Sequence, residues 1–253
     1  MLTALTRPTG PELSDCELTY LEQQPIDVDR AIDQHRAYVD TLRLLGVAVV
    51  ELPRLPQQPD AVFVEDTAVV LPEVAVLLRP GAESRLGEVA SVGEILGGYR
   101  KTVHMEAPAT LDGGDVLVLG NRILVGITTR STVRGLDTLA ALLRPFDYSV
   151  EPVRVTGFLH LKSAATAVDE ETLIVNPIGV DLSHLGLELL EVPPDEPQGA
   201  NVVRVGSHLL ADATAPRTLE LLRTHGADVV GLEAGEFAKA EGAISCKGLI
   251  FEA

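Results

Sequence analysis

The sequence predicts an α/β fold of five pseudo-symmetric modules, each strand–strand–helix–strand, closed into an α/β propeller around a central site. A helix–Gly–strand unit recurs: Leu42-Arg43, Gly46, Val49-Val50 and Leu52 return as Leu222-Arg223, Gly226, Val229-Val230 and Leu232, each pair 180 positions apart. A constant offset across a whole unit argues for an internal repeat. Polar residues also recur where strands are otherwise apolar: Asp66, Asp112, His160, Asn201 and Cys246 follow at gaps of 46, 48, 41 and 45 residues. No Pro/Ser/Gly-rich linker interrupts the chain, so residues 1–253 are read as one domain in preference to a division near Pro145.

The elements follow in order. Val28, Ile32, Val39, Leu42 and Leu45 recur at helical spacing, predicting a helix over Val28–Leu45 that Gly46 closes. A strand over Val47–Leu52 follows and stops at Pro53. Val62–Leu71 and Val74–Leu78 read as a hairpin-like pair, Glu88–Leu96 as a helix and Tyr99–Met105 as a strand. The next module pairs Gly114–Leu119 with Arg122–Gly126 around Gly120-Asn121, a tight-turn signal, before a helix over Val133–Leu143 and a strand over Ser149–Val155. His160–Asp169 pairs with Thr172–Asn176, and an abbreviated helix is expected around Leu182–Leu189. Asn201–Val205 pairs with His208–Asp212 around Gly206-Ser207, and Gly242–Phe251 reads as a final strand carrying a lone thiol.

Composition narrows the function classes. Lys+Arg 20 against Asp+Glu 37 gives a net charge of −17, which argues against nucleic acid and anionic membrane surfaces and is compatible with a cationic ligand. No apolar run is long enough to span a bilayer, and no signal-peptide pattern opens the sequence. With only Cys16 and Cys246 there is no disulfide framework, so a reducing compartment, the cytoplasm, is expected. The histidines lack metal-ligand spacing and the glycines lack the order of a phosphate-binding loop, so neither metal nor cofactor is expected. The sequence by itself fixes no oligomeric state, and a homodimer stays open.

Four stretches carry candidate chemistry. Glu65 and Asp66 interrupt a dense apolar run close to Asp60, and burying two adjacent carboxylates needs a compensating cation or donors. Neighbours in a strand face opposite ways, so a bulge or strand end is needed for both to act in one pocket. Leu111-Asp112-Gly113-Gly114-Asp115 sets glycines beside carboxylates, which lets backbone approach a ligand and equally suits a tight turn. A lone histidine such as His160 is ordinarily a satisfied core residue, and a lone buried thiol such as Cys246 an inert small hydrophobe. Their recurrence at equivalent places in successive modules favours a nucleophile served by a distant His and Asp.

Phe63-Val64-Glu65-Asp66, Leu111-Asp112-Gly113-Gly114-Asp115-Val116, His160-Leu161-Lys162-Ser163 and the near-terminal Cys246 together resemble the dimethylarginine dimethylaminohydrolase family, within the guanidine-modifying superfamily. The resemblance runs from about Pro11 to the C-terminus and implies a cofactor-free five-module propeller. It implies Cys246 as nucleophile, His160 as general acid/base and Asp112 as the carboxylate orienting it. Glu65 and Asp66 would bind a substrate guanidinium, Asp60 and the Leu18 carbonyl its α-amino group, and Arg85 and Arg130 its α-carboxylate. Ser163 would lie close to the site, and Ser14–Leu21 would form a lid. Glu241 is counted with the substrate-binding residues, although the family usually has Asp there, and the sequence departs again at Lys247, where a small or apolar residue is expected.

The implied reaction hydrolyses Nω-methylated arginine to citrulline plus dimethylamine or methylamine through a covalent thiouronium adduct on Cys246. Carboxylates around the thiol should raise its pKa, so a cationic substrate would help ionise its own nucleophile. The alternatives are an arginine deiminase-like hydrolase, for whose extra helical insertion the chain is too short, and a non-catalytic propeller binding protein.

Overall fold

The computed structural model describes residues 1–253. Fifteen short strands form five three-stranded sheets, the blades of the propeller. The strands are β1 (Leu2–Thr6), β2 (Ala48–Glu51), β3 (Ala68–Val70), β4 (Ala75–Leu77), β5 (Thr102–His104), β6 (Val116–Leu119), β7 (Arg122–Ile127) and β8 (Ser149–Arg154). They continue as β9 (Ala165–Ala167), β10 (Thr172–Val175), β11 (Glu188–Glu191), β12 (Val202–Val205), β13 (His208–Asp212), β14 (Asp228–Leu232) and β15 (Gly248–Glu252). Four helices cross over within blades: α1 (Val28–Leu44), α2 (Val89–Leu96), α3 (Val133–Leu143) and α4 (Pro216–Thr224); a single turn, α5 (Gly235–Ala238), precedes the last strand.

In every blade the first strand runs antiparallel to the second, and the second parallel to the third. A parallel return needs a crossover, which the helices supply. The Asp27 carboxylate caps α1 by accepting from the Arg30 N–H at 3.1 Å, and Gly46 (φ +79°) turns the chain out of it into β2. The blade β9–β10–β11 has no crossover helix. Ser183–Leu185 forms one 3₁₀ turn there and β11 already begins at Glu188, so the helix expected around Leu182–Leu189 is replaced by turn and strand.

The ring is closed by its ends. β15 pairs with β1 in the register Leu2↔Glu252 to Thr6↔Gly248, so the last residues complete the first blade. The first strand of each blade (β3, β6, β9, β12 and β15) lines one axial channel of about 290 Å³. Five apolar cores each lie between two neighbouring blades, as where Val69 and Val76 meet Val116, Ile123 and Leu139. A sixth, smaller core under the N-terminal segment joins Leu13, Cys16, Phe63 and Phe237 to Cys246 and Leu18.

The strands predicted to carry the polar residues begin later than the sequence suggests. A 3₁₀ turn precedes each first strand: Val64–Thr67, Gly113–Asp115, Leu161–Ser163, Pro197–Ala200 and Ser245–Lys247. Asp66 and Cys246 lie in these turns, Asp112 and His160 immediately before them, and Asn201 immediately after. A turn releases side chains from the strict alternation of a strand, which is how polar groups gather at the end of an apolar barrel.

Candidate active site

At one end of the ring these turns converge on a small cavity of about 20 Å³, lined among others by Asp60, Asp66, Arg85, Arg130, His160 and Cys246. His160 and Cys246, 86 residues apart in sequence, share this wall with Glu17 and Glu241. His160 Nε2 lies 3.0 Å from Asp112 Oδ2, and the Asp112 side chain is completely buried. The other Asp112 oxygen accepts the Gly81 N–H at 2.7 Å, and the Asp112 N–H donates to Ser131 Oγ. A Cβ at Gly114 would stand 2.7 Å from His160 Nδ1 and 3.0 Å from Asp66 Oδ1, so the glycine is needed for the imidazole and acid to approach.

Asp66 accepts the Gly114 N–H at 2.8 Å and Arg85 Nη1 at 2.6 Å. Burial opposes its charge, but the His160 and Arg85 charges and these hydrogen bonds prevail and hold it down at about 2. Burial likewise opposes the His160 imidazolium, yet Asp66, Asp112 and Asp115 overcome it and raise the imidazole to about 9. His160 is therefore a proton donor at neutral pH. Asp115, fixed by Thr128, Ser131 and the Leu161 N–H, is raised by burial to about 6. The Cys246 thiol is pushed up to about 12, by burial first and then by the charges of Glu65 and Asp66. Asp66, Asp112 and His160 offer ligand atoms within 4.8 Å of one another, a set able to hold a metal. All three have protein partners, and the imidazolium itself supplies positive charge between the two acids.

Glu65 is placed differently from the expectation. Its carboxylate does not line the cavity. It faces the axial channel, held by Lys162 Nζ at 2.8 Å and Ser245 Oγ at 2.7 Å. The turn leaves the adjacent acids on opposite sides of a wall, Asp66 inward to the cavity and Glu65 outward. Asn201 completes this wall by bonding the Lys162 carbonyl and both Ser245 Oγ and N–H. Ser163 also lies outside the cavity, in a neighbouring 430 Å³ pocket that Glu241, Tyr20 and Leu21 help to line.

Arg85 and Arg130 both reach the cavity wall but are not equally free. Arg85 gives two donors to Glu88, one to Asp66 and one to the Phe63 carbonyl. Arg130 Nη2 donates to Thr19 Oγ1 at 3.0 Å and lies 3.8 Å from the Glu17 carboxylate. Asp60 accepts the Glu17 N–H at 3.2 Å. Leu18 is half-buried over the small core beside Cys246. Glu241 accepts the backbone N–H groups of Thr19, Tyr20 and Leu21 at 2.9, 2.5 and 2.7 Å. Its backbone adopts φ +57°, uncommon for a side chain other than Asn or Asp.

The sequence did not single out Glu88, Ser245 or Glu17. Glu88 had a signal, its spacing of three from Arg85, whereas Ser245 and Glu17 meet their partners across the ring and had none.

Fold and site together define an α/β propeller with a cysteine–histidine–carboxylate centre at one end of its axis. A family described as N,N dimethylarginine dimethylhydrolase, eukaryotic, matches residues 19–180. The chain is 41% identical to the N(G),N(G)-dimethylarginine dimethylaminohydrolase of Streptomyces coelicolor, over 96% of this chain and 94% of that one. It is 31% identical to the protein of the same name in Pseudomonas aeruginosa, over 89% of this chain and 90% of that one. A solved structure of a mutant of the Pseudomonas aeruginosa enzyme complexed with citrulline superposes with a TM-score of 0.94 at 29% identity, covering 98% of each chain. The chain belongs to the dimethylarginine dimethylaminohydrolase family.

Proposed function

We propose that this protein hydrolyses Nω-methylated arginine, asymmetric dimethylarginine or monomethylarginine, to citrulline and dimethylamine or methylamine. The observation that carries the reading is the shared cavity of Cys246, His160 and Asp66, with Asp112 fixing the imidazole behind it. A guanidinium there meets the Asp66 carboxylate, and its positive charge lowers the cost of ionising the half-buried Cys246 thiol. The thiol releases its proton to solvent, and Sγ as thiolate attacks the guanidinium carbon. His160, protonated at neutral pH, gives its proton to the departing amine, leaving a thiouronium adduct; the neutral imidazole then takes a proton from water as that water attacks. Citrulline leaves as the C–S bond breaks and Cys246 recovers its proton.

The amino-acid end of the substrate has a matching cradle. In the closed protein, Glu17 lays its own N–H on Asp60 and its carboxylate beside Arg130. These are a donor and an anion where the α-ammonium and α-carboxylate of an amino acid would lie. This supports Asp60 and Arg130, with the Leu18 carbonyl beside them, as the α-group contacts. Arg85 then acts mainly by fixing Asp66, with one Nη1 hydrogen left for the ligand. Since about 20 Å³ holds one water, substrate entry requires the segment Glu17–Leu21 to lift.

The whole chain, residues 1–253, is read as one propeller domain. No helix is long and apolar enough to cross a membrane. The cytoplasm remains the compartment of this reading, on the two free thiols.

Cys246→Ser is expected to abolish citrulline formation from asymmetric dimethylarginine, and His160→Gly to reduce it by about 10²–10⁴-fold or stall it at the adduct. Undiminished citrulline release by either variant would falsify the assignment. Dimethylamine, rather than ammonia from arginine, should be the amine released.

A further inference from the structure

The pocket beside the catalytic cavity has no part in the reaction above. It measures about 430 Å³, within the range of small-molecule sites, and Leu159, Glu241 and Gly242 line both spaces. These three residues, with Ala243, form the partition. It is thin next to the sulfur, because the Ala243 backbone itself bonds the Cys246 thiol. Gly157, Pro197 and Ala238, all exposed, line the pocket as well, so it reaches the surface while the segment Glu17–Leu21 is closed.

The lining suits a small cation with apolar substituents. No lysine, arginine or histidine is part of it, and Phe158, Leu159 and Ile244 supply apolar faces. Asp212, at the end of β13, is only 8% exposed and gives Oδ1 to the Thr214 N–H and hydroxyl at 2.8 and 2.7 Å, while its Oδ2 has no hydrogen-bond partner. Lys247 feels this charge but makes no hydrogen bond with it. A carboxylate so deeply placed with one oxygen open favours a charged donor. The pocket's other acid, Glu241, is already taken up by three backbone N–H groups.

The proposed hydrolysis produces such a cation at this place. When the C–N bond breaks, the amino-acid half stays bonded to Sγ, with its α-groups on Asp60 and Arg130 beneath the closed segment. The route by which substrate entered is then occupied. The departing nitrogen takes its first proton from His160, the neighbour in sequence of Leu159 in the partition. As a free aliphatic amine it takes a second proton from solvent at neutral pH.

We propose that this pocket is the exit site of the leaving amine: dimethylamine passes the partition and is held as its ammonium, methyl groups on the apolar faces and N–H on Asp212 Oδ2, while the thiouronium adduct stays behind. This rests on the hydrolysis proposed above.

The test is binding of dimethylammonium chloride, read by saturation-transfer NMR at constant ionic strength, to full-length wild type, Asp212→Asn and Ala238→Trp. The first variant removes the charge and keeps an acceptor for Thr214; the second fills the pocket from an exposed position. The wild type should bind saturably, and each variant about tenfold more weakly, the loss expected of one hydrogen bond to a charged group. Added dimethylammonium should also slow citrulline formation from asymmetric dimethylarginine, and each variant should need about tenfold more of it. Neither Asp212 nor Ala238 lines the catalytic cavity, so an amine leaving by the entry route would inhibit all three proteins alike. Equal binding or equal inhibition across the three, or no saturable binding to the wild type, overturns the exit site. If the wild type binds the ammonium as expected but releases no dimethylamine from asymmetric dimethylarginine, it is the hydrolysis reading that fails instead.

Discussion

His160 is buried between Asp112 at 3.0 Å and the Asp66 carboxylate, and its folded pKa of about 9 exceeds its ordinary 6.5. A raised folded pKa contributes stability that is complete below about 6.5 and is lost as pH rises through about 9. A shift of this size corresponds to about 3 kcal/mol. Asp66 has the opposite sign: its pKa is depressed to about 2, so its contribution is present above about 3.8 and fades below. Thermal melting of the wild type should therefore fall between pH 6.5 and 9. In His160→Gly that alkaline decline should be largely gone, and a variant that still loses as much stability over the window would contradict the placement of the charge. At this scale the sequence was informative about identity and poor about direction. Asp112, His160 and Cys246 stand out as polar interruptions of apolar stretches. Nothing in the string told Glu65 from Asp66, because which side of a wall each faces depends on the turn they share.

Among the elements, the 3₁₀ turns before β3, β6, β9, β12 and β15 matter most to the site, and periodicity did not reveal them. Val62–Leu71 reads as one buried strand because its composition is apolar; only Ala68–Val70 keeps strand geometry. The helix–Gly–strand units were legible because their signals are local, a helical stripe closed by a glycine, which the structure holds at positive φ. The segment Thr19–Leu21 is the other decisive element. Residues 19–21 have few apolar anchors, and their three N–H groups end on Glu241, five places before Cys246. Hydrogen bonds to a charged acceptor on a partly exposed segment contribute about 1.4 kcal/mol or more together. In Glu241→Ala, amide exchange at Thr19, Tyr20 and Leu21 should quicken about tenfold, and KM for asymmetric dimethylarginine should rise as the closed state loses its latch. Unchanged exchange there would show that Glu241 does not hold the lid.

The whole molecule is a ring whose seam is the β1–β15 pairing, and the turn that carries Cys246 leads directly into β15. Each apolar core is shared by two blades, so opening one seam exposes two faces rather than one. Leu5, Leu249 and Phe251 are buried at that seam, and Arg100 ties the second blade to it by donating to the Leu71 and Glu252 carbonyls. Truncation after Lys247 removes five ladder partners of β1 and should abolish a cooperative melting transition, not merely activity. A truncated chain that still melts sharply near the wild-type temperature would show the seam to be dispensable.

The sequence by itself determined the five modules, their order, the helices of four of them, and which residue types stand before each first strand. All of these follow from patterns within a few residues or from a repeat along the string. Only the tertiary structure decided that Glu65 serves the channel and Asp66 the cavity, that Glu241 accepts the N–H groups of Thr19, Tyr20 and Leu21, and that Lys247 lies buried against the Tyr38 and Phe237 rings. Each of those depends on where a closed ring brings together segments up to 222 residues apart, and a linear pattern carries no information about distances across a circle.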